Sequence, residues 1–365
     1  MNRPLVCFYK NNSILISDQY ELIQFSGQPN ELSDFIKKIH SNHLNAIKII
    51  QIDFDQKNAH VFICQTFQIL SRSEFENKMN PIDFTNRLFW DQLTYQPTIR
   101  KSEFIDKIKK IKQDISVGRY YQVNLTDRFT AKNKYQNDLW NNEEFLSELI
   151  RVFKNFNSRY PAYLPLQNKE ILCCSPELFL RKQANTLVSE PIKGTLIQGQ
   201  THSDELINSD KENAELSMIV DLIRNDMNTI CDQPVQVTAH RELMNIGYTT
   251  HTYSQITGQC TKPFWEILTA VLPGGSISGC PKIESLLAIQ ELENFDRGFY
   301  TGVMGWWKND DFELNIAIRS FLKTGNSVQY FTGCGVVYDS DPESEWQEFL
   351  TKASQLKLDL SNENN

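Results

Sequence analysis

YTGVMGWWKNDDFELNIAIRSFLKTGNSVQYFTGCGVV, the stretch from Tyr300 to Val337, contains three strand-like runs joined by short polar turns. The runs are Tyr300–Trp307, Phe312–Leu322 and Ser327–Val337, rich in aromatic and β-branched residues. Strands joined this closely pair antiparallel, and a last helix is predicted from about Pro342. Working outward, the segment from Ile171 gives strands first and then a long helix from about Asp204 to Asp226. More strands follow, with a short helix after Pro263, a Gly-rich turn and a helix opened by Pro281. Further upstream, Ser13–Ser17, Ile47–Phe54 and His60–Gln65 read as strands around a helix with Leu32, Phe35, Ile36 and Ile39 on one face. A polar connector is expected over Pro81–Thr98. After it comes an amphipathic helix capped by Ser102, with Phe104, Ile108, Ile111 and Ile115 inward and Gly118 at its end. A strand over Tyr121–Thr126 and a helix from about Asn142 to Phe156 complete the reading. The class is α+β, with largely antiparallel sheets and helices on their outer faces. Residues 1–95 are expected to be a short N-terminal contribution, 96–358 the catalytic unit and 359–365 a polar tail.

The chain has 365 residues, 40% of them hydrophobic, enough for one large core or two intertwined ones. A net charge of −8 argues against a non-specific nucleic-acid binder. No run reaches the roughly 18 apolar residues of a membrane span, and the first residues read as a strand without a signal-peptide core. Eight cysteines form no CxxC pair, and two of them, Cys173 and Cys174, are adjacent. Reduced thiols and a cytoplasmic location are therefore expected.

Several segments carry candidate chemistry. Pro191-Ile192-Lys193-Gly194-Thr195 follows a strand-like run and reads as a tight turn holding a lysine. A partly desolvated lysine there is a candidate nucleophile; a solvated surface lysine is the alternative. Two helices carry carboxylates three apart, Glu212 with Glu215 and Glu345 with Glu348, each pair on one helix face. Brought together, the four would need a cation, and hard oxygen donors suit Mg²⁺. Each pair alone also suits a solvated face. The Gly-rich turn Leu272–Lys282 can present backbone N–H groups to an anion, although Cys280 stands where a P-loop has its lysine. Gly333-Cys334-Gly335 lacks the third glycine of a dinucleotide fingerprint. Arg319 could fork onto a carboxylate or simply decorate an edge strand, and His251 reads as a structural or a site histidine.

Taken in chain order, these pieces resemble the chorismate-utilising enzymes. The likeness runs from about Ser102 to Ala353. It rests on GRYYQVNL (Gly118–Leu125), SPELF (Ser175–Phe179), PIKGT (Pro191–Thr195) and MIVDLIRND (Met218–Asp226). It continues through the Pro273–Lys282 turn, Tyr300-Thr301-Gly302, Arg319, and DSDPESE (Asp339–Glu345) followed by Glu348 and Lys352. The resemblance implies antiparallel sheets packed as a sandwich. It implies Mg²⁺ on Glu215 and Glu348, with Glu212 and Glu345 close by. Arg319 and Tyr300 would hold the enolpyruvyl carboxylate of chorismate. Lys352, Gln122 and the amides around Gly333 and Gly335 would make further substrate contacts. His251 would sit near the departing C4 hydroxyl, and Thr195 along the ring. A dianionic substrate needs such a set of a cation, a guanidinium and aimed N–H dipoles.

Two positions distinguish the branches of that family. Isochorismate and salicylate synthases carry a lysine, the base for water, where Gln122 stands, and a glutamine cannot deprotonate water. Anthranilate synthases typically have alanine at the position of Lys193, whereas aminodeoxychorismate synthases have lysine. The resemblance thus implies formation of 4-amino-4-deoxychorismate, for 4-aminobenzoate and folate, through attack of Lys193 on C2; anthranilate formation is the alternative. No Gly-x-Cys-x-Gly elbow occurs, so the nitrogen is expected from a separate glutamine amidotransferase subunit.

Overall fold

The computed structural model describes residues 6–10, 13–79, 93–133, 158–197, 210–246, 249–325 and 327–354. The helix expected over 142–156 and the tail over 359–365 lie outside the described residues. The first elements are β1 (Val6–Lys10), β2 (Ser13–Ser26), α1 (Leu32–Asn42), β3 (Ile47–Ile52), β4 (Asn58–Leu70) and α2 (Arg72–Met79). Next come β5 (Leu93–Pro97), α3 (Lys101–Ser116), β6 (Gln122–Asn133), β7 (Tyr160–Pro165), β8 (Glu170–Ser175), β9 (Leu178–Gln183), β10 (Thr186–Glu190) and β11 (Ile192–Ile197). They are followed by α4 (Asp210–Asn228), β12 (Gln236–Ile246), β13 (Thr249–Gln259), α5 (Phe264–Val271), β14 (Gly279–Cys280) and α6 (Lys282–Leu292). The last are β15 (Val303–Lys308), β16 (Asp311–Ile316), β17 (Ser320–Thr324), β18 (Ser327–Val336) and α7 (Pro342–Ser354).

All pairings among the described strands are antiparallel. They trace one ribbon: β6–β18–β17–β8–β7–β1–β2–β4–β3–β15–β16–β9–β10–β13–β12. Strands β5 and β14 share the other edge of β6, and β11 lies beside β13 past the end of β10. The period of two along each strand divides its side chains between two cores. Val6 and Phe8, Leu15, Ile47 and Ile49, Phe62, and Met304 and Trp306 point to an inner core to which, among the described residues, no helix contributes. Their neighbours Cys7, Ile14 and Ile16, Ile50 and Ile52, Val61, and Val303 and Trp307 point to the outer core, where helix residues join them. This is the α+β arrangement expected: a large antiparallel sheet with helices packed against it. Helix α3 shows why. Its Phe104, Ile108 and Ile111 form one apolar stripe, and Phe104 meets Trp346 and Phe349 of α7 at ring separations of 5.3 and 5.1 Å.

Four local expectations change. The end of the supposed connector is strand β5, paired with β6, with Pro97 at its last position, where an edge strand tolerates a missing donor. That pairing carries the chain to Thr98, whose N–H bonds Arg128 O, so Arg100 and not Ser102 occupies the N-cap of α3. Lys193 is not in a tight turn. It lies on β11 opposite Thr252, and a register shift follows at Gly194, where φ is +59°. The run Phe312–Leu322 is two strands, broken at 317–319, where Ala317 N–H bonds Gly302 O and Arg319 adopts φ +51°.

Candidate active site

The two ends of the ribbon meet at a pocket of about 360 Å³, within the range that holds a small ligand. From one end come Gly333 and Gly335 of β18; from the other, Lys193 of β11 and His251 of β13. The break before β17 adds Arg319, the turn before β15 adds Tyr300, and two helices add Glu215 (α4) and Glu348 with Lys352 (α7). Nine of the residues singled out in the sequence therefore face one cavity.

Each is held by identifiable contacts. The bulge at Gly194 is fixed from β13: Thr252 Oγ1 donates to Lys193 O at 2.9 Å, and His251 Nδ1 to Gly194 O at 2.8 Å. Burial, helped by the Arg319 charge, pulls His251 down to about 4, so its ring is neutral at pH 7. The Nδ1–H tautomer leaves Nε2 as the acceptor facing the Thr249 hydroxyl at 2.9 Å. The Lys193 amine lies 4.0 Å from Glu215 Oε2. Lys352 donates to Gly333 O and pairs with Glu348, both at 2.7 Å. Burial alone would lower the Lys352 ammonium, but the Glu348 carboxylate holds it above the ordinary lysine value. Tyr300 is stacked on Phe331 with 5.3 Å between ring centroids. Arg319 makes no ion pair among the described residues, and burial lowers its guanidinium from the usual value. A half-desolvated guanidinium without a counter-ion is a receptor for an anion.

Other expected residues stand apart from the cavity wall. Gln122 is fully buried behind Gly335, with its amide 3.4 Å from Asn124 Oδ1. Glu345 is buried at the start of α7 and accepts from Ser340 Oγ at 2.7 Å. The side chains of Thr195 and Glu212 lie outside the described residues. Among the described residues no three His, Cys, Asp or Glu side chains close around a common point. Glu215 and Glu348 nonetheless line the same pocket, and two carboxylates are the hard oxygen donors that suit Mg²⁺.

Sequence reasoning missed Glu177 as a site residue. It lies between β8 and β9, buried, on the wall of the pocket. Burial raises its carboxyl to about 7, while the Lys193 charge and a hydrogen bond from Ser276 act the other way. The available signal was a carboxylate following Pro176 between two apolar strands.

The profile of the chorismate binding enzyme family matches residues 36–357. Aminodeoxychorismate synthase component 1 of Bacillus subtilis is 36% identical over 276 residues, covering 71% of this chain and 56% of that protein. Anthranilate synthase component 1 of Aquifex aeolicus is 31% identical over 277 residues, covering 73% of this chain and 54% of that one. The chain thus spans about half the length of the curated relatives it matches. Among solved structures, a 2,3-dihydroxybenzoate-specific isochorismate synthase from Bacillus anthracis superposes with TM-score 0.79 at 21% identity, covering 97% of this chain and 95% of that one. Anthranilate synthase component I of Streptococcus pneumoniae gives 0.70 at 22% identity, covering 98% and 90%. At such identities the structural likeness concerns the fold. No helix among the described residues is long and apolar enough to cross a membrane.

Proposed function

Since this chain belongs to the chorismate binding enzyme family, we propose that it is an aminodeoxychorismate synthase component 1, forming 4-amino-4-deoxychorismate from chorismate and ammonia. The observation that carries this reading is Lys193, whose amine opens on the pocket between Glu215 and the buried Glu177. In the first step the Lys193 amine bonds to C2 and gives up a proton, both ring double bonds shift round the ring, and the C4–O bond breaks. Glu177, protonated up to about pH 7, gives the proton that turns the departing hydroxyl into water. Ammonia then bonds to C4 and loses a proton, both double bonds shift back, and the electron pair of the C2–N bond returns to Lys193, which takes up a proton. Arg319 takes the enolpyruvyl carboxylate, with Tyr300 beside it. Glu215 and Glu348 would hold Mg²⁺, which offsets the charge of the ring carboxylate. His251 bonds Gly194 O and so fixes the bulge that aims Lys193.

The nitrogen would come from a separate glutamine amidotransferase subunit, with ammonium salts as a poorer source. Similarity to anthranilate synthases at 31% identity keeps anthranilate as the second product to look for. The test is product identity: chorismate, Mg²⁺ and ammonium at mildly alkaline pH, with and without an aminodeoxychorismate lyase. Lyase-dependent 4-aminobenzoate supports the reading; anthranilate formed without the lyase overturns it.

A further inference from the structure

Behind one wall of the pocket lies an ion pair that the reaction above does not use. Glu293 and Arg297 stand four residues apart just past α6, with side chains 2% and 1% exposed. Arg297 Nε and Nη2 donate to the two carboxylate oxygens of Glu293 at 2.8 and 2.6 Å. The remaining donors of the guanidinium reach outward. Nη2 donates to Asn124 O at 2.8 Å, and Nη1 to Ile277 O at 2.9 Å and to Thr301 Oγ1 at 3.3 Å. Glu293 Oε1 in turn accepts from Thr126 N at 2.9 Å and from Thr126 Oγ1 at 3.0 Å. Asn124, Thr126, Ile277 and Thr301 all line the pocket; Glu293 and Arg297 do not.

We infer that Arg297 and Glu293 are positioning residues, which set the spacing of the pocket wall from behind. The inference rests on the reading that chorismate fills this pocket. The wall is built from three separate segments: β6, the turn before β14, and the turn before β15. One planar guanidinium with donors in a fixed fork holds a group from each at a set mutual distance. Stability alone is a weak account of the pair, because a buried ion pair is often replaceable by apolar residues without loss. The reach of the clamp extends to reacting groups as well. Tyr300 N–H bonds Arg297 O at 3.0 Å, and Ser276, next to Ile277, bonds Glu177. A lysine at 297 would keep the charge opposite Glu293, but as a point charge it cannot reach Asn124 O and Ile277 O together.

The experiment compares the full chain with R297K, E293Q and K323M, following chorismate consumption, which does not depend on the product. K323M is the control. It breaks another buried pair, Lys323 with Glu170 at 2.6 Å, and neither residue lines the pocket. Thermal unfolding is recorded for every variant. The expected result is a KM for chorismate raised at least fivefold in R297K, with kcat changed less than KM. The K323M enzyme should lose as much thermal stability while keeping the KM of the parent. A KM shift below fivefold in R297K, or an equal shift in K323M, overturns the inference. If R297K does not fold, the isosteric E293Q is read against the same fivefold criterion. A parent chain that consumes no chorismate overturns the functional reading and takes this inference with it. Turnover in the parent with unchanged KM in the variants removes the inference alone.

Discussion

Lys193 Nζ lies 4.0 Å from Glu215 Oε2, which puts the candidate nucleophile and a candidate metal ligand at the same end of the pocket. On the proposed reading the two would act on neighbouring parts of one substrate, the amine on C2 and Glu215, through a metal it would hold, on the adjoining carboxylate. Replacing Lys193 by alanine should lower product formation by at least about 100-fold, since the other amine of the pocket, Lys352, is tied to Gly333 O and Glu348. Mg²⁺-dependent chorismate binding should survive. Rapid quench and intact-mass measurement should show a chorismate-minus-water adduct on the parent chain and none on K193A. An adduct on both would assign the attack to another residue.

Arg319 carries a charge that no carboxylate among the described residues offsets, in a cavity expected to take a dianion. Such a group costs stability in the empty protein and is repaid on binding. R319M should therefore raise KM for chorismate by about 10- to 100-fold, the scale of a hydrogen bond to a charged group. Its unfolding temperature should stay level or rise. Initial rates and thermal unfolding of the same preparation check both halves. A fall in stability with unchanged KM would make Arg319 a structural residue.

Period-based signals were the legible part of the chain. The stripe of Leu32, Ile36 and Ile39 on α1 and that of Phe104, Ile108 and Ile111 on α3 follow from spacing alone, because a helix is a local structure. The errors share a cause in partners far along the chain. Strand β5 is short and polar, and only its pairing with β6 makes it a strand. The bulge at Gly194 depends on Thr252 and His251, more than 50 residues on. The break at Arg319 depends on Gly302, and on Cys174, whose N–H bonds Arg319 O at 3.1 Å. Glu177 was quoted as part of a motif, yet its raised carboxyl comes from burial that outweighs the opposing pull of Lys193 and Ser276, which no local pattern reveals.

The two glycines of β18 should differ in their tolerance. A methyl group on Gly333 would stand 2.6 Å from Leu125 O and 3.1 Å from Thr126 Cα, both backbone atoms of the paired strand. On Gly335 it would meet the side-chain ends of Gln122 and Asn124 at 2.7 and 2.9 Å, which can move. G333A is therefore expected to cost about 1–3 kcal/mol by overpacking, and G335A less. Denaturant unfolding of the two variants ranks them. The reverse order would mean that β6 and β18 can part more easily than the Gln122 amide can turn.

Glu177 supplies a pH dependence with a definite sign. Burial lifts its carboxyl from 4.5 to about 7 in the folded chain, against the opposing pull of Lys193 and Ser276. Between those values the folded state keeps a proton that the unfolded chain gives up. The stability this group contributes is complete below about pH 4.5 and is lost as pH rises through about 7. The loss runs at up to about 1.4 kcal/mol per pH unit across that window. E177Q keeps the shape and removes the titration. The unfolding temperature of the parent relative to E177Q should therefore fall from pH 4.5 to 7 and level off above. Other titrating groups, such as Asp127, raised to about 6 by burial, are common to both proteins and cancel in the difference. A difference that stays flat over this range would mean that Glu177 ionises in the fold as it does in the open chain. It would then have no proton to give to a leaving hydroxyl near neutral pH.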